Sequence, residues 1–316
     1  MKRALLVGVD TYAEFGDLHG CVNDVEALRP LLSRNHDRTI NFNCQARVEP
    51  SETSRDSLLN DVRRLLGPGA EVALLYFAGH GHGSGDDVSL CVSDGTEAAP
   101  GLPLSQVLGE VRRSAVPEVI IVLDCCFSGA AGGCPQLGSG VSVLREGVTI
   151  LAASRSDQAA METAEGRGRF SSYLCGGLEG GAADVLGRVT VASLYAYLDE
   201  SFGPWDQRPI FRSNLERLHH LRTCPPALNI DYLRDLPRLF TTAECQLALD
   251  SSYEPTAEPR SESREADFAL LQAARAAKLV EPVDEEHLYF AAINGGACRL
   301  TPLGKHYWSM ATQSLL

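Results

Sequence analysis

Residues 74–83 read LLYFAGHGHG and residues 119–129 read VIIVLDCCFSG. Each is a short, uninterrupted apolar run that passes directly into glycines and reactive side chains. An apolar run of this length, rich in branched residues and bounded by glycine, is the pattern of a strand buried on both faces of a parallel sheet. In open parallel sheets the functional groups gather outside the carboxyl ends of the strands. Two such strands would therefore bring glycine-flanked histidines (His80, His82) and a pair of cysteines (Cys125, Cys126) to one sheet edge. A thiolate beside an imidazole is a nucleophilic constellation, because the imidazole takes the thiol proton or stabilises the charge. Attack on a carbonyl leaves an oxyanion, and the backbone amides of Gly81 and Cys126 are the candidate donors to it.

Outward from these runs, strands are predicted over 3–9, 40–44, 72–77, 88–92, 119–123 and 148–152. Helices are predicted over 21–33, 54–66, 103–114, 171–180 and 191–201. The alternation points to an α/β fold, a mostly parallel six-stranded sheet with helices on both faces. The glycine- and serine-rich segment 128–147 reads as a mobile surface loop.

Beyond Arg222 the pattern changes. A break at TCPPALNIDY precedes a helix predicted around 241–249, then a polar stretch at about 251–265 that reads as a linker. A helix over 266–279 follows, with two strands, LYFAAI (288–293) and ACRL (297–300), joined across Asn294-Gly295-Gly296, and a last helix opened by Thr301-Pro302. The expected division is 1–222 and 223–316, the second part a small α+β, winged-helix-like domain.

The 316 residues carry a net charge of -13, with 44% apolar residues and a mean hydropathy of -0.08. An acidic surface repels phosphate backbones, so no nucleic-acid partner is expected. In residues 223–316 the 13 acidic side chains outnumber the 8 basic ones. Residues 266–280 carry only Arg275 and Lys278 as basic groups, which favours a protein partner for this region over DNA. The opening MKRALLVGVD is too short in apolar residues for a signal core or a membrane span, so no membrane association and a cytoplasmic location are expected. Ten cysteines without regular spacing read as reduced thiols, mostly small core residues.

At residues 77–81 and 124–129 the chain resembles the caspase-like cysteine peptidases, more narrowly metacaspases and bacterial caspase homologues. FAGHG matches the YSGHG motif of these proteins and DCCFSG their D-x-C-x-S-G motif. The resemblance implies a caspase-hemoglobinase type of fold over about 3–215, His80 as the general base, Cys126 as the nucleophile and His82 as a rim residue. Leu18-His19-Gly20-Cys21-Val22-Asn23-Asp24 resembles the family's L-x-G-C-x-N-D segment. That likeness implies Cys21, Asp24 and Asp124 as walls of the primary specificity pocket. Two carboxylates there would select a basic residue before the scissile bond, arginine pairing bidentately. Ala78 departs from the motif, where metacaspases carry a pocket serine. LAASRSDQ (151–158) resembles the strand and loop lining the cleft, which adds Ser154 and Asp157 as substrate-binding candidates.

Arg145 and Arg155 are candidate self-cleavage sites. No metal or cofactor is expected, although calcium activates some metacaspases. Asp86, Asp87 and Asp94 lack the spaced ligand set of a calcium loop. The function expected is a regulated endopeptidase acting in defence or programmed cell death, with a regulatory partner on the C-terminal domain. A caspase-like scaffold without catalysis is the alternative.

Overall fold

The computed structural model describes residues 1–84, 87–128, 144–153, 166–203, 209–215 and 217–316, the side chains of 84 and 126–128 excepted. The chain divides into two compact units, one of residues 1–183 and 188–224, the other of 184–187 and 225–316.

The first unit runs β1 (Lys2–Gly8), α1 (Cys21–Ser33), β2 (Phe42–Arg47), α2 (Arg55–Leu65), β3 (Val72–Ser84), β4 (Asp87–Cys91), β5 (Gly101–Pro103) and α3 (Leu104–Arg113). It continues through β6 (Glu118–Ser128), β7 (Val148–Ala152), α4 (Arg169–Gly176), β8 (Arg188–Thr190), α5 (Val191–Ser201), β9 (Ile210–Asn214) and β10 (His220–Thr223). The main sheet has the order β2-β1-β3-β6-β7-β9. Its first five strands are parallel and β9 is antiparallel to β7. Strands β4 and β5 extend the sheet off β3 as antiparallel partners. The fold is thus the expected mixed α/β one, with a mostly parallel central sheet.

Alternation along β3 and β6 explains the unbroken apolar runs. Ala73, Leu75, Phe77, Ile121 and Leu123 pack with Leu58 and Val62 of α2 and Val107 and Val111 of α3. Leu74, Tyr76, Ile120 and Val122 pack on the other face with Val25 and Leu28 of α1, Phe170 and Leu174 of α4, and Leu194 of α5. With both faces covered, every position along these strands is a core position.

Several expectations are corrected. The second strand begins at Phe42, not Ile40, which is 77% exposed and makes only an isolated bridge to Arg34. The 88–92 segment is strand as expected, but it turns back on β3. The sixth strand of the main path is β9, whose sequence IFRSN is too polar to read as buried strand.

The second unit runs α6 (Ile230–Leu239), β11 (Gln246–Ala248), α7 (Glu262–Ala276), β12 (Val280–Val283), α8 (Leu288–Ile293), β13 (Ala297–Leu300) and α9 (Pro302–Thr312), with an antiparallel sheet β11-β13-β12. The helix expected at 241–249 is instead a turn and β11. The helix lies earlier, capped by Asn229 and running through Pro237. LYFAAI is helical, not a strand, and ACRL pairs with VEPV across it. A six-residue apolar run does not distinguish a short helix from a strand. Asn294-Gly295-Gly296 follows this helix, Asn294 as its C-cap and Gly295 at φ +68, rather than closing a two-residue hairpin. The polar stretch 251–265 lies inside this unit, where Tyr253 is buried beneath the Arg264 guanidinium and Arg264 pairs with Asp250.

Candidate active site

Strands β3 and β6 pair in register from Val72↔Glu118 to His82↔Ser128, and this sets Ala78 beside Asp124, Gly79 beside Cys125 and His80 beside Cys126. The strands do not end at 77 and 123 as the sequence led us to expect. They run on through both motifs, and residues 81–84 pair with β4 as well. Gly81 thus stands between Leu90 of β4 and Phe127 of β6, so both candidate oxyanion amides belong to paired strand.

His80 is held from three sides. Its backbone N–H donates to Tyr12 Oη at 2.8 Å, and that hydroxyl donates to Val9 O at 2.9 Å. The Tyr12 ring lies 4.8 Å from the imidazole, centre to centre, with Phe15 at 6.4 Å. Nε2 sits 2.8 Å from the carbonyl oxygen of Gly16. A carbonyl can only accept, so Nε2 carries the proton and the lone pair of the neutral ring is on Nδ1. Residue 79 must be glycine, since a Cβ there would lie 2.7 Å from Tyr12 Oη.

Of the paired cysteines, Cys125 is buried in the core against α2 and α3. Cys126 is placed here by its backbone register alone. The eight cysteines with described side chains are free thiols, six of them buried.

The expected pocket walls do converge. Asp24 on α1 is 3% exposed and Asp124 on β6 is 9% exposed. A Cβ on Gly168 would stand 3.0 Å from an oxygen of each. The Gly168 N–H donates to both oxygens of Asp24, at 3.1 and 3.2 Å. Asp124 accepts from Ser171 Oγ at 2.5 Å, and Tyr76 Oη lies 2.5 Å from the same Oγ. Burial, then the neighbouring Asp124, pushes the Asp24 carboxyl up to about 8, against the Gly168 N–H and Arg167, which lower it. Cys21 opens α1, its N–H bound to Asp10 at 2.9 Å, and its buried thiol is pushed well above its ordinary value, by burial first and then by Asp10 and Asp124.

Ser154, Asp157 and Arg155 lie outside the described residues, as do Asp86 and most of the 128–147 segment. Arg145 donates to Val116 O at 2.8 Å. Asp87 accepts from Val88 N and Ser105 N, and Asp94 from Arg55 N, so these two carboxylates serve strand and helix starts. Among the described residues no group of three or more His, Cys, Asp or Glu side chains is placed to hold a metal ion. No described helix is long and apolar enough to cross a membrane.

Sequence reasoning missed Tyr12, Gly16, Gly168, Ser171 and Tyr76. Tyr76 lies in the quoted strand run but reads there as a core residue, and Gly168 and Ser171 at the start of α4 carry no motif of their own. Tyr12 and Gly16 carry a weak signal: they lie in the connection from the first buried strand to the matched L-x-G-C-x-N-D segment.

Comparison with known proteins identifies the family. The family model described as the caspase domain matches residues 1–219. Metacaspase-1 of Yarrowia lipolytica is 26% identical over 211 residues, covering 61% of this chain and 43% of the relative. Metacaspase-1 of Botryotinia fuckeliana is 24% identical over 204 residues, covering 59% and 46%. The chain thus spans less than half the length of these curated relatives. The crystal structure of protein GSU0716 from Geobacter sulfurreducens superimposes with a TM-score of 0.51 at 15% identity, over 71% of this chain and 99% of that one, a likeness of fold alone.

Proposed function

This chain belongs to the caspase-domain family, and we propose that it is a cysteine endopeptidase with Cys126 as nucleophile and His80 as base. The observation that carries the reading is the register pairing of His80 with Cys126 while the His80 ring is tied through Nε2 to Gly16 O. Nδ1 is then the basic nitrogen, free to take the thiol proton. The thiolate attacks the scissile carbonyl carbon, and the carbonyl π pair moves to oxygen. The amides of Gly81 and Cys126, beside the register pair, are the proposed donors to that oxyanion. Collapse expels the amine, which takes the proton from Nδ1, and leaves a thioester. Water, deprotonated by His80, then hydrolyses the thioester and restores the thiol.

The paired carboxylates Asp24 and Asp124 support a preference for arginine or lysine before the scissile bond. A guanidinium entering between them brings the positive charge that favours ionisation of both, and it would then make charge-assisted bonds on two sides. Cys21, Ser154 and Asp157 complete the proposed substrate contacts. The second unit is proposed as a winged-helix-like module for a regulatory protein partner, its excess of acidic residues disfavouring nucleic acid. The activity fits a cytoplasmic effector of a defence or cell-death response, without a required cofactor.

The test is cleavage of a peptide library by the purified chain beside Cys126→Ala, with calcium added or chelated. Cleavage after Arg or Lys, lost in the variant, is the expected result. Cleavage after Asp would overturn the pocket assignment, and no turnover under any condition would favour a non-catalytic scaffold.

A further inference from the structure

We propose that Ser171 is a positioning residue that sets the preference for basic substrates, by holding Asp124 as the charged wall of the pocket through a buried hydrogen-bond chain from Tyr76. The proposal rests on the peptidase reading above. Ser171 is 1% exposed and its Oγ lies 2.5 Å from Asp124 Oδ2 and 2.5 Å from Tyr76 Oη. A serine hydroxyl has one hydrogen. Donated to Asp124, it leaves only the oxygen lone pairs for Tyr76, so the phenol must be the donor in the second bond. The chain therefore runs Tyr76 O–H to Ser171 O–H to Asp124 carboxylate, all three groups buried, and each bond polarises the next.

The two carboxylates are thus not equivalent. Asp24 receives one N–H, shared between its two oxygens, and it shares its surroundings with Asp124 and Asp10, with Arg167 as the opposing charge. Its carboxyl is pushed up to about 8, by burial first and then by the neighbouring Asp124. Asp124 is the one that receives the hydroxyl chain. Ala78 explains why a helix must supply it. Ala78 is the register partner of Asp124, and its side chain has no polar atom with which to steady the carboxylate from β3. Ser171 reaches the same carboxylate from α4.

Ser171→Ala, Ser171→Thr and Tyr76→Phe in the full chain test this. For an arginine peptide, Ser171→Ala is expected to raise KM at least about tenfold, the worth of a hydrogen bond to a charged group, with kcat within about twofold. Ser171→Thr should restore KM, and Tyr76→Phe, which keeps the direct bond and loses its polarising donor, should raise it by less. The separation between the two carboxyl titrations, followed by carbon NMR on aspartate-labelled Cys126→Ala protein, should narrow when Ser171→Ala is added. Unchanged KM and unchanged titrations in Ser171→Ala would overturn the proposal. Should the wild-type chain cleave nothing, the peptidase reading fails, and the titrations alone then decide the role of Ser171: narrowing upholds the hydrogen-bond chain, identity overturns it.

Discussion

Adjacent residues of one motif have different surroundings in this chain. Of the adjacent cysteines, Cys125 faces the core and Cys126 stands in register with His80. The motif alone left two cysteines and two histidines open, and resemblance rather than physics chose between them. What no motif carries is the support around them. Tyr12 lies 68 residues from His80 in sequence, yet its hydroxyl is the acceptor for the His80 N–H. Tyr12→Phe leaves that donor without its partner and costs about 1–3 kcal/mol. Under the proposed function it should lower kcat about tenfold or more with little change in KM, measured on the preferred peptide. Gly168→Ala is the counterpart at the pocket. Its Cβ would sit 3.0 Å from both carboxylates. Turnover of basic peptides should fall at least tenfold, and a melting curve should show a smaller loss than the activity assay. Unaltered activity in either variant would remove that residue from the site.

Elements with strong periodicity were legible, and elements held by their surroundings were not. The helices at Cys21–Ser33 and Val191–Ser201 match their predicted bounds, and in both the buried residues recur at helical spacing. Helix α5 also carries a full capping box between Thr190 and Ser193. Thr190→Ala should cost about 1 kcal/mol, seen as a fall in melting temperature without loss of fold. In the second unit β11, only three residues long, exists because β13 pairs with it, and α8 is helical because Leu288, Ala291 and Ala292 turn inward together at helical spacing. Helix α9 is placed by contact so close that residue 304 has no room for a side chain. A Cβ there would lie 1.9 Å from Leu279 O. Gly304→Ala should destabilise by about 3 kcal/mol or more, since backbone must move. Thermal melting of the full chain checks it, and a wild-type melting curve would show that α9 adjusts freely.

The whole molecule shows these local arrangements in its response to pH. Asp24 ordinarily titrates near 3.8 and in the fold near 8, so between those values the folded state binds a proton that the unfolded chain has lost. Its contribution is complete below about pH 4 and is lost as pH rises toward 8, on the order of 1 kcal/mol per pH unit. Asp37, Glu71, Glu110, Asp250 and Glu265 have the opposite sign, held low by hydroxyl, ammonium or guanidinium partners, so what they add is lost only on acidification. Melting temperature should peak near pH 5 and fall toward pH 8. The net charge of -13 adds repulsion in the same direction, and moderate salt separates the two by screening it. Asp24→Asn should flatten the remaining alkaline slope and raise the melting temperature at pH 8. A slope in salt identical to wild type would show that Asp24 is ionised in the fold. The resemblance brought Asp24 and Asp124 together, but the burial that raises the Asp24 carboxyl could not be read from the sequence.

The eleven register pairs between β3 and β6 join the reactive edge to the core in one continuous ladder. A slip by one residue would set His80 beside Cys125 or Phe127, and the same slip would turn the core residues of the strand that moved, Leu75 and Phe77 or Ile121 and Leu123, against the wrong helices. Core and dyad therefore assemble together or not at all. Under the proposed function, a chain with the wrong register would be inert rather than indiscriminate, because the strand error that misplaces the dyad also spoils the core.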